Sequence, residues 1–172
     1  DKLDAHRREV LTTYSESGIA SLRILRHVVE DVGRLANALE DRHFENDMAM
    51  VVLIRLFSAL AVEARTNQLE REDIFQRKQK INSISVQKRL RKNKDSEKPG
   101  IFYSAKKYKS IDIGSTLLSD EVLNEMLFDG RFTEENIRNS LNNSAYFIKK
   151  EAAPPWRIVC NFQKLDDKDS DT

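Results

Sequence analysis

A long apolar run, MAMVVLIRLFSALAVEA, occupies positions 48–64 of the chain. Its apolar residues would cover nearly every face of a helix, so we predict that a helix over 46–65 is the most buried element. The chain has only five glycines and three prolines in 172 residues, and few stretches alternate as strands do. These patterns predict a mainly α fold, a helical bundle with little or no sheet.

Two amphipathic helices are predicted before this segment, over 2–16 and 20–39, with a small-residue break at Gly18 between them. The first places four apolar residues near one face: Leu3, Val10, Leu11 and Tyr14. The second carries an apolar stripe at steps of three and four: Leu22, Leu25, Val29, Val32, Ala36 and Leu39. We expect that stripe to be its buried face, with a polar break at 40–47 before the next helix.

Further helix boundaries are predicted from capping residues in the second half of the bundle. TNQLEREDI begins a short helix with Thr66 or Asn67 near its N-cap, and Ser119 caps DEVLNEMLFDG, which ends at Gly130. Thr133 then caps TEENIRNSLNN, and IFYSAKKYKSIDI is expected to hold a short strand or hairpin. A small second core is predicted from Leu118, Val122, Leu123, Met126, Leu127, Phe132, Ile137 and Leu141.

The charge distribution divides the chain into unequal parts. Residues 76–110 carry twelve Lys or Arg against two acids, whereas the flanking parts are mildly acidic and the total is only +1. We therefore predict a helical bundle over 1–75, a basic linker or partner-binding segment over 76–110, a small helical subdomain over 111–165 and an acidic tail over 166–172. Trp156 in the PPWRI motif is expected to anchor the C-terminal segment.

The chain lacks the familiar signatures of catalysis. No glycine-rich phosphate loop, no G-x-S-x-G and no H-E-x-x-H is present. The histidines His6, His27 and His43 lie far apart without partners at metal spacing, so each is expected to be structural or on the surface. Cys160, the only cysteine, sits in the apolar context RIVCNF and is expected to pack as a small core residue. We expect neither a catalytic residue nor a metal ligand.

Localisation follows from three further observations. A single cysteine provides no disulfide framework, which favours a reducing compartment. The charged opening DKLDAHRREV is unlike a secretory signal. No apolar run approaches the roughly 20 residues that a membrane span needs. The prediction is a cytoplasmic protein without a membrane partner.

Arg23 is the residue of greatest interest in the predicted second helix. It follows Leu22 directly, so it lies about 100° around the helix from the predicted stripe and beside the turn at Gly18. An arginine there can rest its stem on the core and extend its guanidinium outward. Spacing alone leaves two interpretations open, an ordinary surface arginine or a side chain that points at a nucleotide held elsewhere.

The basic segment has three interpretations: a solvated linker, a nucleic-acid contact, or a docking surface for an acidic partner. Aromatic residues Phe102, Tyr103 and Tyr108 alternate with its later lysines, as in single-strand binding surfaces. The candidate contact residues are Lys88, Arg89, Arg91, Lys92, Lys106, Lys107 and Lys109.

Two runs of the sequence resemble part of a known protein family. SGIASLRILRHVVEDVGRL at 17–35 and VEARTNQLEREDIF at 62–75 resemble the helical lid after the nucleotide-binding core of KAP-type P-loop NTPases, relatives of the AAA-plus and STAND ATPases. In such lids a small-residue turn leads into N-x-R-x-L, whose arginine senses the bound nucleotide. The matching run here is Ser21–Leu25, with serine in place of the common asparagine and Arg23 at the arginine position. The stretches 117–141 and 154–162 are similar to the region after the lid in bacterial members.

The resemblance implies that this chain is the C-terminal helical part of a larger bacterial ATPase, with its Walker motifs upstream, which agrees with a start at Asp1. It implies a role in antiphage defence, as in the ATPase component of RADAR-type systems. ATP and Mg²⁺ would be bound by the parent, and this chain alone should not hydrolyse ATP. The implied partners are the upstream core, further copies or a defence effector. The alternative is a free-standing helical adaptor that binds nucleic acid or protein through 76–110.

Overall fold

The computed structural model describes residues 4–82 and 100–148, and these ranges are mainly α, as predicted, with no strand among them. A 3-10 turn at Asp4–His6 leads into the helices. In chain order they are α1 (Arg7–Glu16), α2 (Leu22–Ala38), α3 (Asp41–Phe44), α4 (Asp47–Arg65), α5 (Arg71–Phe75), α6 (described over 77–82), α7 (Ile101–Lys107), α8 (Asp120–Asp129) and α9 (Glu134–Asn142).

Helix α4 is the centre of the described fold. Its buried residues include Leu56, Phe57, Leu60 and Val62, each fully shielded from solvent, and they lie on all sides of the helix. Helices α1, α2, α7 and α8 all pack against it. The prediction that this apolar segment is the most buried element is therefore confirmed, because a helix that is apolar all round needs neighbours all round.

The buried face of α2 matches the predicted stripe in part, since Val32, Ala36 and Leu39 are buried, but it differs in the first half of the helix. Leu22 is 83% exposed and Val29 is 39% exposed, whereas Val28, Val32 and Leu35 are buried. The sequence holds apolar residues on two adjacent stripes, and both satisfy the three-to-four spacing of a helix. The packing of α2 against α4 buries Val28 and Leu35 as well and leaves Leu22 and Val29 exposed.

The predicted second core is not separate from the first. Leu118, Leu123 and Ile137 belong to the same apolar cluster as the residues of α2 and α4. The rings of Phe57 and Phe132 meet edge to face with centroids 6.1 Å apart. The C-terminal helices thus complete the core around α4, because this helix has apolar surface left after α1 and α2 have packed.

Two local predictions are wrong. The segment 101–107 is helix α7 rather than a strand or hairpin, and Ile101 and Tyr108 bury its apolar side in the core. The N-cap of α5 is Glu70 rather than Thr66 or Asn67, with a capping box that Asp73 completes. Asn67 instead adopts a left-handed conformation, φ 55°, after the end of α4.

The termini of α8 agree with the prediction. The Ser119 hydroxyl accepts a hydrogen bond from Val122 N at 3.3 Å, and Gly130 ends the helix with φ 62°. Thr133 occupies the N-cap position of α9, but its side chain makes no capping hydrogen bond.

We therefore expect Ser119→Ala to lower the free energy of unfolding by about 1 kcal/mol, the usual contribution of a capping hydroxyl. Thr133→Ala is the matched control and should cost clearly less, because no capping bond is lost. Urea unfolding followed by circular dichroism measures both. Equal losses in the two variants would contradict the assignment.

Candidate functional site

The turn between α1 and α2 is braced by side-chain hydrogen bonds. The Tyr14 hydroxyl donates to Ser21 O at 2.6 Å and accepts from Ser21 N at 2.9 Å. The Ser17 hydroxyl donates to Tyr14 O at 2.6 Å and accepts from Ile19 N at 3.1 Å. Gly18 adopts φ 67°, which a glycine adopts without strain. The start of α2 is thus held in one position relative to α1.

Arg23 lies in the first turn of α2, immediately after this braced turn. Ser21 caps the helix by accepting from Ile24 N at 3.4 Å. The Arg23 side chain is exposed, and no hydrogen bond or ion pair joins it to another residue of the described ranges. A cation at a helix N-terminus gains nothing from the helix dipole, whereas an anion there does. The helix dipole therefore does not stabilise the charge of Arg23.

Arg26, one turn further along α2, gives a useful contrast. Its Nε donates to Glu30 Oε1 at 2.9 Å, and this hydrogen bond lowers the pKa of the Glu30 carboxyl. Arg26 already has an acidic partner on its own helix, so it is less available to a ligand than Arg23.

A buried polar cluster, Glu63, Lys107 and Tyr108, lies between α4 and the end of α7. Glu63 is fully buried, and its Oε1 accepts from Lys107 Nζ and from the Tyr108 hydroxyl, both at 2.7 Å. Burial, together with the hydrogen bond to Glu63, raises the pKa of Tyr108 well above its usual range. The other Glu63 oxygen, Oε2, has no hydrogen-bond partner among the described residues. We interpret the cluster as a tie that holds the end of α7 on the core.

This cluster also supports the braced turn. The Ser110 hydroxyl, shortly after α7, donates to a Glu16 carboxylate oxygen at 3.1 Å, next to the turn. The segment after α7 is therefore in contact with the residues that set the entry into α2. Sequence spacing could not predict this, because Glu63 and Tyr108 are 45 positions apart.

Arg77 forms the most extensive single clamp in the described structure. It is fully buried and donates from Nε to Asp120 Oδ1 at 2.6 Å, from Nη1 to Ile113 O at 3.0 Å and from Nη2 to Leu118 O at 2.9 Å. The planar guanidinium matches this arrangement, with one donor directed at each acceptor. Arg77 thus joins the start of the basic segment to the loop before α8.

Three of the seven predicted contact residues of the basic segment lie within the described ranges. Lys88, Arg89, Arg91 and Lys92 lie outside the described residues, as do Trp156 and Cys160. Lys107 donates to Glu63 and its side chain is only 15% exposed. Lys106 and Lys109 are exposed, and Lys106 also interacts with another residue. Lys106 and Lys109 are the described cations of this set that a partner could reach.

The three histidines lie apart in the fold. His43 is fully buried, its Nδ1 accepts from Glu40 N at 3.0 Å and its Nε2 is 3.0 Å from Asn142 Oδ1, so it connects α3 to the end of α9. His6 is buried near α1 and His27 lies beside Glu30. Across residues 4–82 and 100–148, no group of three or more His, Cys, Asp or Glu side chains is placed to bind a metal ion.

Comparisons of the chain with protein-family models, with curated proteins and with solved structures each found no match. Within the described ranges, no helix has both the length and the apolar character to span a membrane.

Proposed function

We propose that this chain is the helical lid and C-terminal part of a larger bacterial P-loop ATPase that acts in antiphage defence. The observation that carries the proposal is the environment of Arg23. It is an exposed arginine, without a partner among the described residues, at the start of a helix whose entry is braced by Tyr14 and Ser17. Such a side chain is already positioned for an anion supplied by another part of the protein.

In this proposal Arg23 contacts the phosphates of ATP bound by the upstream core. A guanidinium offers paired donors that fit phosphate oxygens, and its charge offsets theirs. ATP and Mg²⁺ belong to the parent protein, whose Walker motifs would lie upstream. This chain supplies the sensing arginine and does not hydrolyse ATP by itself.

The packing of α2 gives the lid a route for transmitting the nucleotide state. Val28, Val32 and Leu35 bury α2 against α4, and Arg65 forms an ion pair with Asp31 across the same two helices. A displacement of Arg23 would therefore move α2 and α4 together as one packed unit. The C-terminal helices share that core and would carry the displacement to neighbouring subunits or to an effector.

The exposed Leu22 also supports this function. Leu22, directly beside Arg23, is 83% exposed, so its side chain is open to contact by another part of the protein. The nucleotide-binding core, closing over Arg23, would cover Leu22 at the same time.

The test uses the natural full-length chain that contains this segment. Arg23→Ala should reduce ATP turnover about 10- to 100-fold, from the roughly 1.5–3 kcal/mol of a hydrogen bond to a charged group. Arg26→Ala is the matched control and should retain turnover, because Arg26 is paired with Glu30. Circular dichroism of both variants excludes unfolding as the cause.

Equal turnover in the two variants would contradict the sensing role, as would a parent chain without Walker motifs.

The second candidate function, an adaptor for nucleic acid or protein, is favoured by the exposure of Lys106 and Lys109. Binding of single-stranded nucleic acid by this chain that falls steeply with salt would favour that function instead.

A further inference from the structure

His43 is a buried histidine that connects α3 to the end of the described fold. It is fully shielded from solvent, and its Nε2 is 3.0 Å from Oδ1 of Asn142, the last residue of α9. Its ring also meets the ring of Phe147 edge to face, with centroids 5.1 Å apart. The end of α9 and the residues that follow it are therefore held against α3 through one imidazole.

The hydrogen bonds of His43 fix its ring in the neutral form. Glu40 N donates to Nδ1 at 3.0 Å, so this nitrogen carries no proton. The proton of the neutral ring then lies on Nε2, which donates it to Asn142 Oδ1. Both ring nitrogens are thus used, and a second proton on Nδ1 would face the Glu40 N–H, donor against donor. The arrangement therefore fits only a neutral ring.

The charged side chains around His43 already have other partners or face solvent. The Glu40 carboxylate accepts from the backbone N–H of His43 and from Arg42 Nε, and the Arg42 hydrogen bond lowers the pKa of this carboxyl. From α9, Arg138 lies 3.9 Å from the same carboxylate, and in the first turn of α4 Asp47 is exposed. The segment after α9 contributes only uncharged side chains. An imidazolium in this buried position would therefore be strongly unfavourable.

We propose that His43 is an acid-sensitive latch for the segment 142–148. Uptake of a proton on Nδ1 breaks the hydrogen bond from Glu40 N and releases this segment from α3. The charged ring is better solvated once it leaves its buried position, where water and the Glu40 carboxylate, 39% exposed, can contact it. Because the open state binds one more proton than the closed state, the latch is closed at neutral pH and opens as the pH falls. Imidazole changes charge between about pH 5 and 8, so mild acid is sufficient.

The latch is independent of the nucleotide-sensing function proposed for Arg23. It would make the contacts of the C-terminal end of the described fold responsive to pH, whatever partner this chain has. The failure of either proposal leaves the other unaffected.

Amide hydrogen exchange of the full 172-residue chain tests the latch. Protection factors, which remove the intrinsic effect of pH on exchange, are compared at the amides of Ser144, Phe147 and Ile148, all donors to backbone carbonyl oxygens. Protection at these amides should fall as the pH is lowered from about 7 to 5, by up to about tenfold per pH unit for the uptake of one proton. Leu123 N, which donates to Ser119 O in α8, is the internal reference and should keep its protection.

His43→Gln removes the titrating group and keeps a hydrogen-bond acceptor, because a glutamine at this position of a capping box accepts from the N-cap N–H. The variant should fold, as circular dichroism verifies, and its protection at 144–148 should not depend on pH. His27→Gln is the matched control, since the His27 side chain is 44% exposed beside Glu30, and it should retain the full pH dependence. Equal pH dependence in His43→Gln and the unmodified chain would overturn the proposal.

The imidazole resonances of His43 provide a test that needs no variant. At neutral pH, the nitrogen chemical shifts should show a proton on Nε2 and none on Nδ1. On acidification, uptake of the second proton should coincide with the loss of protection at 144–148. Protection that stays constant down to about pH 5 would overturn the proposal, as would a charged His43 in a chain whose reporter amides remain protected.

Discussion

Arg77→Ala is expected to lower the free energy of unfolding by about 3–5 kcal/mol, the usual cost of removing one partner from a buried ion pair. The substitution leaves the Asp120 carboxylate, which is only 14% exposed, without its closest cation. It also removes the donors that bind the carbonyl oxygens of Ile113 and Leu118. The loop before α8 would then lose its attachment to α6. Urea unfolding monitored by circular dichroism measures the loss.

Lys78→Ala provides the control for Arg77→Ala. Lys78 is the next residue, its side chain is 45% exposed and its Nζ lies 3.9 Å from Asp120 Oδ2, so its removal should cost far less. Arg77→Lys should fall between the two, because a lysine keeps the charge but cannot direct three donors at three acceptors. A loss in Arg77→Ala no larger than in Lys78→Ala would show that the clamp is not needed for stability.

Glu63→Ala is expected to cost about 2–4 kcal/mol, because it leaves buried donors without an acceptor. The Lys107 ammonium and the Tyr108 hydroxyl both donate to the same Glu63 oxygen. We expect less than for Arg77, because the Lys107 side chain is 15% exposed and can turn toward water. Hydrogen exchange should also increase at the turn between α1 and α2, because the segment after α7 contacts that turn through the Ser110 hydroxyl and Glu16.

Control variants test whether the effect of Glu63→Ala comes from the loss of this buried cluster or from the loss of a carboxylate in general. Glu30→Ala removes a pair on the exposed face of α2 and should leave stability and exchange unchanged within error. Glu63→Gln, Lys107→Met and the double variant form a cycle whose coupling should be about 1 kcal/mol or more for contacting residues. Additive effects would contradict a direct buried interaction, and unchanged exchange at 17–21 would contradict the connection to the turn.

The mainly α fold and the central position of α4 could be predicted from the sequence. The run at 48–64 has too many apolar residues for any one-sided helix, so its burial follows from composition alone. Ser119 and Gly130 were predictable for a different reason, since capping depends on residues close in sequence. These features require no knowledge of what packs against what.

The features that could not be predicted depend on long-range packing. The buried face of α2 was ambiguous because Val28 and Val29 both fit a helical stripe, and only contact with α4 buries Val28. Arg77 stood among basic residues and gave no sign of burial, since its acceptors come 36 to 43 positions later. The location of Arg23 beside the turn at Gly18 was predicted from spacing and its sensing role from resemblance, whereas the bracing of that turn depends on hydrogen bonds from Tyr14 and Ser17.

The ion pairs of the basic segment have a consequence for its charge. Arg77, Lys80 and Lys107 are each neutralised by an acid from outside the segment, Asp120, Asp73 and Glu63 respectively. A polyanion that docks there would displace fewer condensed counterions than twelve cations imply, because three of these charges already have partners. The count of cations in residues 76–110 therefore overstates the electrostatic attraction that this segment exerts in the folded chain.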